Sequence, residues 1–198
     1  MLTSLCFTVF GYLSGSILFA RVYAGLFGKD LITDSKDGNP GTSNAFIYGG
    51  MACGILTLLG DLIKGILPVL LYLRMTRGNI DAYFAPVLAA PVLGHIFPVF
   101  YRFKGGKGSA CTFAFMWINF PLAAAVVAVF AVIVYLFSKK ISLVSLTAAA
   151  LFCILCIAGS SMRPMLWLFA LMCLVLVVIR HKDNIKRLIA GTESTVDY

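Results

Sequence analysis

The feature that most constrains this chain is a series of long, uninterrupted apolar runs. Of its 198 residues, 61% are hydrophobic and 12% are charged, and the mean hydropathy is +0.96. A soluble domain of this length and composition would expose too much apolar surface. The runs are continuous rather than alternating, which excludes a β-barrel. We therefore predict an all-α, polytopic membrane bundle that forms a single membrane domain over residues 1–198.

Polar and proline-containing interruptions divide the chain into seven predicted spans. The run Gly108–Phe137 is too long for one span and is interrupted by Asn119-Phe120-Pro121, so we split it into a short half-span and a full span. The other predicted spans are Leu2–Tyr23, Ala45–Arg74, Ala82 to about Phe100, Leu146–Ala158 and Met165–Ile179. Between 138 and 145 we expect a small basic turn that carries hydroxyl groups.

The basic residues predict the orientation of this bundle. With seven crossings, twelve of the sixteen Lys and Arg residues flank one side of the membrane, three flank the other, and Lys64 lies within a span. Lys and Arg are enriched on the cytoplasmic side. We therefore place the N-terminus outside, the C-terminus in the cytoplasm, and the polar loops together on the cytoplasmic face of the cell membrane. No basic stripe with interleaved aromatics indicates a nucleic-acid partner.

The cysteines do not indicate a metal site. All six lie inside apolar runs, and the C-x-x-C pair Cys153 and Cys156 has only apolar neighbours. Cysteines in such surroundings behave as small hydrophobic residues. We therefore predict no metal site.

The stretch from Gly94 to Gly108 carries the strongest functional signal. At its end Gly105, Gly106 and Gly108 alternate with Lys104 and Lys107, and a helix is predicted to follow over 109–117. Glycine-rich turns expose backbone N–H groups, and lysines and a helix N-terminus add positive charge. The pattern indicates a cradle for phosphate or carboxylate, although an ordinary basic loop remains an alternative. It is not a Walker loop, because Gly108 separates Lys107 from the following serine.

Three other polar features have both a structural and a functional interpretation. Asp37-Gly38-Asn39-Pro40-Gly41 is an ordinary capped turn or a rigid, donor-rich loop facing a ligand. Asp61 and Lys64 lie three residues apart on one helix face, as a structural ion pair or as support for a site. The basic tail from Arg180 suits a helix on anionic lipid, but this explains the lysines better than Asn184 and Glu193.

Together these motifs resemble the bacterial membrane glycerol-3-phosphate acyltransferases that use acyl-phosphate. The resemblance runs the length of the chain. Its motifs are Gly38-Asn39-Pro40-Gly41 with Asn44, Asp61-x-x-Lys64-Gly65, Gly94-His95-x-Phe97-Pro98-x-Phe100 with Phe103-Lys104-Gly105-Gly106-Lys107-Gly108, Ser142-x-x-Ser145, and Arg180-His181-x-x-Asn184-Ile185-x-Arg187-Leu188-x-x-Gly191-x-Glu193.

This resemblance implies a reaction and a set of site residues. A seven-span enzyme would transfer a fatty acyl group from acyl-phosphate to the 1-hydroxyl of sn-glycerol 3-phosphate at the cytoplasmic face, in the first step of phospholipid synthesis. The products would be lysophosphatidic acid and phosphate, and the resemblance implies no metal and no cofactor. Catalytic roles would fall to Lys104, Lys107, His95 and Asn184, with Asp61 and Lys64 in support. Substrate would be bound by Gly38, Asn39, Gly41, Asn44, Gly105, Gly106, Gly108, Ser142, Ser145, His181, Arg187 and Glu193.

The first loop departs from the family pattern in several ways. Asp37 stands where the family has a serine, and Ile47 stands where it has an arginine. An upstream arginine near Thr33 is also missing, and the loop is one residue longer. A carboxylate near a bound anion is electrostatically unfavourable. These departures leave a diverged, non-catalytic paralogue as one alternative to the enzyme. The intramembrane charges of Asp61 and Lys64 leave a small transporter or lipid-binding membrane protein as another.

The chemistry requires two phosphate-bearing substrates to approach each other. Lys104, Lys107 and the glycine N–H groups would hold one phosphate, and Ser142, Asn184 and Arg187 would hold the other. We expect no acyl-enzyme, because acyl-phosphate is already activated and no Ser–His–carboxylate set is evident. The proton acceptor is either His95 or, as we favour, a substrate phosphate oxygen. The expected partners are the two substrates, the bilayer and a soluble enzyme that produces acyl-phosphate.

Overall fold

The computed structural model of the chain describes residues 1–79, 84–159 and 164–195. It divides into two compact units, Met1–Ile118 and Asn119–Tyr198. Within the described ranges all regular secondary structure is helical, which confirms the predicted all-α class. Five helical segments there are long and apolar enough to cross a membrane: Leu2–Leu26, Met51–Met75, Phe84–Tyr101, Pro121–Ser138 and Ile141–Gly159.

The first unit consists of seven α-helices and one 3₁₀ turn, counted over its described residues. The helices are α1 (Leu2–Gly15), α2 (Phe19–Leu26), α3 (Leu31–Asp34), α4 (Thr42–Gly49), α5 (Met51–Met75), α6 (Phe84–Ile96) and α7 (Ser109–Asn119), and the 3₁₀ turn is Val99–Tyr101. The helix predicted over 109–117 is confirmed as α7.

The first predicted span contains a break that its sequence did not predict. Leu2–Tyr23 was expected to be continuous, but the chain leaves helical geometry at Leu18, where φ is −91° and ψ is 89°. The break leaves the Ile17 carbonyl available, and it accepts a 2.6 Å hydrogen bond from Nζ of Lys64. A buried ammonium group needs such acceptors, so the break and the charge within α5 satisfy each other.

The second predicted span begins too early. The predicted helix Ala45–Arg74 is two helices, because Gly50 separates α4 from α5 with φ of +87°. Glycine adopts this left-handed conformation at little cost, whereas other residues rarely do. α4 therefore belongs to the polar loop region and presents Asn44 there, while the 25-residue α5 forms the span.

Close packing of α1 on α6 fixes the position of the glycine-rich stretch that follows α6. A Cβ atom on Gly15 would meet the backbone of Pro91, and one on Gly94 would meet the Tyr12 carbonyl. Small residues allow helices to approach this closely in membranes. Tyr12 Oη also donates a 2.7 Å hydrogen bond to the Phe97 carbonyl, which anchors the exit from α6.

The second unit contains four helices in its described residues. They are α8 (Pro121–Ser138), α9 (Ile141–Gly159), α10 (Pro164–Arg180) and α11 (Lys182–Ile189), and both α8 and α10 pack on α9. The predicted turn over 138–145 is wrong beyond residue 140. Lys139 adopts a left-handed conformation with φ of 55°, which ends α8 and lets α9 begin at once. Ser142 and Ser145 are therefore helical.

Several predicted boundaries fall partly outside the described residues. The start of the third span at 82–83, the end of the loop before it at 80–81, and the turn at 160–163 lie there. The amphipathic tail is confirmed as α11, which buries Asn184 and exposes the lysines at 182 and 186.

Candidate functional site

The glycine-rich loop is folded directly onto the end of α6. The Gly106 N–H donates a 3.0 Å hydrogen bond to the His95 carbonyl. A Cβ on Gly106 would meet Nε2 of His95, and a Cβ on Gly105 would meet the His95 carbonyl oxygen. These two positions therefore require glycine, because any side chain would lift the loop from the buried histidine beneath it.

Lys107 brings this loop together with the first polar loop. Its Nζ lies 2.9 Å from Oδ2 of Asp37, 70 positions earlier in the chain. The other carboxylate oxygen of Asp37 accepts hydrogen bonds from Nδ2 of Asn44 at 2.7 Å and from the backbone N–H of Asn39 at 3.2 Å. We call Asp37, Asn39, Asn44 and Lys107 the loop cluster.

The loop cluster stabilises negative charge. Burial would raise the pKa of the Asp37 carboxyl, but the charge of Lys107 and the hydrogen bonds of Asn44, Lys107 and the Asn39 backbone lower it. The balance places the pKa below its ordinary value, so the carboxylate is ionised at neutral pH. Ammonium, amide and backbone N–H donors are also the groups that bind phosphate oxygens.

A second polar group lies buried within the spans of the first unit. Lys64 Nζ is 2.8 Å from Oδ1 of Asp61, and Nδ1 of His95 is 3.6 Å from the same oxygen. Thr42 Oγ1, at the start of α4, lies 3.4 Å from the other oxygen of Asp61. We call Asp61, Lys64 and His95 the buried cluster. Through His95 this cluster joins α5 to the glycine loop, and through Thr42 it joins α5 to the first polar loop.

The C-terminal tail forms a compact cluster of its own. Glu193 accepts a 2.6 Å hydrogen bond from Nδ2 of Asn184 and a 2.7 Å bond from Nε of Arg187. Gly191, with φ of +71°, reverses the chain after α11, and the Thr192 N–H bonds back to the Arg187 carbonyl at 2.8 Å. This helix-terminating turn places Glu193 against its partners. We call Asn184, Arg187 and Glu193 the tail cluster.

Donors around Glu193 outweigh the cost of burying it. Burial would raise the pKa of the Glu193 carboxyl, but Ser142, Asn184 and Arg187 act against it and hold the pKa below its ordinary value. Ser142 is buried in the first turn of α9, and Ser145 lies one helical turn further along. His181 is also buried, with Nδ1 at 2.8 Å from the Val177 carbonyl.

The remaining predicted site residues lie on the glycine loop and on the first polar loop. Lys104 is exposed on the glycine loop, and Gly108 adopts a positive φ of 83° just before α7. Gly38 also has a positive φ, of 59°, and Gly41 is the residue before α4. Within the described residues no group of three or more His, Cys, Asp or Glu side chains could hold a metal ion.

Two contacts of the site were missed by the sequence analysis. Asp37 was noted as a departure, but its pairing with Lys107 was not predicted, because 70 residues separate them and no local pattern links them. The contact of Thr42 with Asp61 was not predicted, because one continuous helix over Ala45–Arg74 would hold the residues before it several turns away from Asp61. A Gly-Gly pair after a short helical pattern, here Gly49-Gly50, is the signal that could have indicated the break.

These observations define a helical membrane protein with anion-stabilising clusters in its polar segments. The sequence model of the glycerol-3-phosphate acyltransferase family matches residues 5–191. Glycerol-3-phosphate acyltransferases from Syntrophotalea carbinolica and Neisseria gonorrhoeae are each 38% identical, over 184 and 192 residues, and the matches cover 92% and 93% of both chains. The relative from Geobacter sulfurreducens is 36% identical, with 98% of both chains covered.

Solved structures give the same result. The crystal structure of PlsY, an integral membrane glycerol 3-phosphate acyltransferase, in its glycerol 3-phosphate form has a TM-score of 0.91 and 31% identity, covering 98% of this chain and 96% of that one. Its lysophosphatidic acid form has a TM-score of 0.87 and 31% identity. The chain belongs to the glycerol-3-phosphate acyltransferase family. The predicted family, enzyme class and multi-pass membrane character are confirmed.

Proposed function

We propose that this protein transfers a fatty acyl group from acyl-phosphate to the 1-hydroxyl of sn-glycerol 3-phosphate, giving lysophosphatidic acid and inorganic phosphate. Family membership supports glycerol 3-phosphate as acceptor. The observation that carries the proposal is the loop cluster, where Lys107, Asn44 and the Asn39 N–H already hold an anion, the Asp37 carboxylate. Donors that bind a carboxylate can also bind a phosphate.

The phosphate of glycerol 3-phosphate is assigned to the donors of the loop cluster, Asn39, Asn44 and Lys107, and to the glycine loop. Lys107 supplies a flexible ammonium group, and exposed Lys104 lies three residues away on the same loop. Gly105, Gly106 and Gly108 allow the backbone to approach an anion closely, and α7 begins directly afterwards. Gly38, Asn39, Gly41 and Asn44 shape the opposing loop.

Anion-binding groups for the acyl-phosphate are assigned to the second unit. Asn184 and Arg187 donate to the Glu193 carboxylate, and Ser142 and Ser145 lie on one face of α9. His181 is buried at the start of α11, where its Nδ1 lies 2.8 Å from the Val177 carbonyl. Arginine and amide donors suit the phosphate oxygens of such a donor, whose negative charge must be neutralised in a partly dry environment.

We propose direct attack of the glycerol 3-phosphate hydroxyl on the acyl-phosphate carbonyl, without an acyl-enzyme. Acyl-phosphate is an activated donor, so positioning and charge stabilisation suffice. The hydroxyl proton passes to a substrate phosphate oxygen. The position of His95 supports this choice, because the residue is only 3% exposed, lies under Gly106 and is oriented towards Asp61.

The buried cluster is proposed to hold the glycine loop in place. Asp61 contacts Lys64 and lies near His95, while His95 supports Gly105 and Gly106 through its backbone and ring. These contacts explain why charged side chains occur inside a membrane span, where an unpaired charge would be costly. His95→Gln is therefore expected to retain part of the activity, whereas a proton acceptor at His95 would make the loss complete.

The topology proposal supplies the cellular setting. We propose seven crossings in a single membrane domain over 1–198, with the N-terminus outside and the polar loops in the cytoplasm, where acyl-phosphate from a soluble enzyme would be available. The family match over 5–191 and the excess of Lys and Arg near the polar loops support this. Accessibility labelling of single cysteines at Lys36 and Lys182 should give a cytoplasmic location for both.

An acyl-transfer assay tests the proposed reaction. Purified protein receives labelled glycerol 3-phosphate with palmitoyl-phosphate, palmitoyl-coenzyme A or palmitoyl-acyl carrier protein as donor. Labelled lysophosphatidic acid is expected with palmitoyl-phosphate alone, and the same rate is expected after treatment with EDTA. Product formation with only the thioester donors would overturn the proposed donor, and no product with any of them would overturn the proposed reaction.

A further inference from the structure

An internal carboxylate occupies the anion-binding groups of the first unit. Lys107 Nζ is bonded to Oδ2 of Asp37, and Asn44 and the Asn39 N–H are bonded to Oδ1. An ammonium group, a primary amide and a backbone N–H thus converge on one negatively charged group. A phosphate can be bound by the same types of donor.

The donors of the loop cluster differ in how easily they could change partner. Asn39 and Asn44 are buried, and Asn44 Nδ2 also bonds the Asn39 carbonyl at 2.8 Å, which fixes the first loop internally. The Lys107 side chain retains 15% exposure and that of Asp37 retains 18%, so solutes can reach this ion pair. Lys107 reaches Asp37 from another loop on a flexible four-carbon stem, and it is the donor that can exchange.

We propose that Asp37 is an internal competitor of the substrate phosphate and sets the affinity of the enzyme for glycerol 3-phosphate. In the free protein the Asp37 carboxylate holds Lys107, and this contact opens before Lys107 binds a phosphate oxygen. The inference rests on the proposed role of Lys107 in binding that phosphate. It assigns to Asp37 a task that is separate from the acyl-transfer step.

Two physical effects follow from this arrangement, and both weaken binding. The apparent dissociation constant rises by the inverse of the fraction of molecules in which Lys107 is released. In addition, the Asp37 carboxylate repels a bound phosphate for as long as it remains nearby. Both effects raise the free energies of the bound substrate and of the transition state equally, so the barrier between them does not change. Removing the charge of Asp37 should therefore lower KM without changing kcat.

Two other roles for Asp37 make different kinetic predictions. A general base would be needed in the transition state, so replacing it would lower kcat. A residue that holds Lys107 in its productive position would, once replaced, leave Lys107 misplaced and raise KM. The three roles are distinguishable in one set of kinetic measurements.

The test compares the wild-type enzyme with Asp37→Asn and Asp37→Ser. KM for glycerol 3-phosphate, kcat and the inhibition constant of inorganic phosphate are measured for each. Both variants are expected to lower KM and the inhibition constant about three- to tenfold, with kcat within about twofold. The matched control is Asp34→Asn, which removes one negative charge from the same loop region and leaves the loop cluster intact.

Several results would overturn the proposal. KM that stays the same or rises in both Asp37 variants excludes competition, and so does a large fall in kcat. An equal decrease of KM in the Asp34→Asn control would show that the loss of one negative charge, and not the release of Lys107, lowers KM. If the wild-type protein shows no acyl transfer, the proposed function fails, but competition is still decided by calorimetric titration with inorganic phosphate. Tighter binding by folded Asp37→Asn protein supports it, and unchanged binding overturns it.

Discussion

The loop cluster and the tail cluster use the same chemistry in two different ways. Each consists of a carboxylate held by an asparagine amide and a basic side chain: Asp37 by Asn44 and Lys107, Glu193 by Asn184 and Arg187. In the tail the asparagine and arginine partners lie within ten residues of Glu193, whose side chain is only 6% exposed. In the loop cluster the ion pair links residues 70 positions apart. The side chains of Lys107 and Asp37 are 15% and 18% exposed, more than that of Glu193 and less than the 26% of Arg187.

This difference indicates different tasks. A local, nearly buried carboxylate closed by a glycine turn stabilises the conformation of its own segment. A carboxylate paired across two loops, within reach of solvent, is suited to exchange for another anion. We therefore expect changes in the loop cluster to act mainly on substrate binding and catalysis, and loss of the Glu193 carboxylate to act first on stability.

The largest expected effect comes from Lys107→Ala. Removing the ammonium group deletes the main charge assigned to the substrate phosphate, and we expect kcat/KM to fall by about 10²- to 10³-fold. The melting temperature of the protein in detergent should change little. The control Lys29→Ala removes an exposed lysine from another loop and should retain activity. Retained activity in Lys107→Ala would contradict the role of the loop cluster in substrate binding and catalysis.

A smaller effect on activity is expected from Gly106→Ala. The added methyl group would meet the His95 ring, so the glycine loop must move, with a cost of about 1–3 kcal/mol. Transfer activity should fall by at least about tenfold because Lys107 is displaced with the loop. Gly25→Ala is the matched control, since a Cβ at Gly25 would meet no atom within 4 Å. Equal activity of both variants would show that the loop is not held against His95.

Glu193→Ala should act on stability. It removes the Glu193 carboxylate that accepts hydrogen bonds from the buried Asn184 amide and the Arg187 guanidinium, which costs about 1–3 kcal/mol. A lower melting temperature is expected, and Glu193→Gln, which keeps one acceptor oxygen, should lose less. Unchanged stability of Glu193→Ala together with lost activity would make the two clusters alike in function.

The smallest expected effect is the pH dependence of the Glu193 contact. Because the pKa of Glu193 is lower in the folded protein, the contact contributes stability that is fully present above the unfolded pKa of about 4.3. This contribution is lost as the pH falls through the lower, folded value. The difference in melting temperature between wild type and Glu193→Gln should be constant from pH 7 to 5 and shrink below about pH 4.3. A difference that grows on acidification would contradict this assignment.

Sequence reasoning reached the parts of the site whose signals are local. Gly105, Gly106 and Lys107 were predicted as an anion cradle from their own spacing, and Asn184 to Glu193 from one tail motif. The fold class and the helix after Gly108 followed from apolar length and glycine punctuation. The break at Leu18 and the pairing of Asp37 with Lys107 could not be predicted, because both depend on residues about 50 and 70 positions away. Such contacts are set by packing rather than by local propensity.

The central claim is that the donors of the loop cluster, above all Lys107, bind the phosphate of glycerol 3-phosphate. Calorimetric titration of glycerol 3-phosphate into purified wild-type protein and into Lys107→Ala, with Lys29→Ala as control, tests it most directly. We predict saturable binding by the wild type and the control, and at least about thirtyfold weaker binding by Lys107→Ala. Equal affinity of all three proteins would contradict the account.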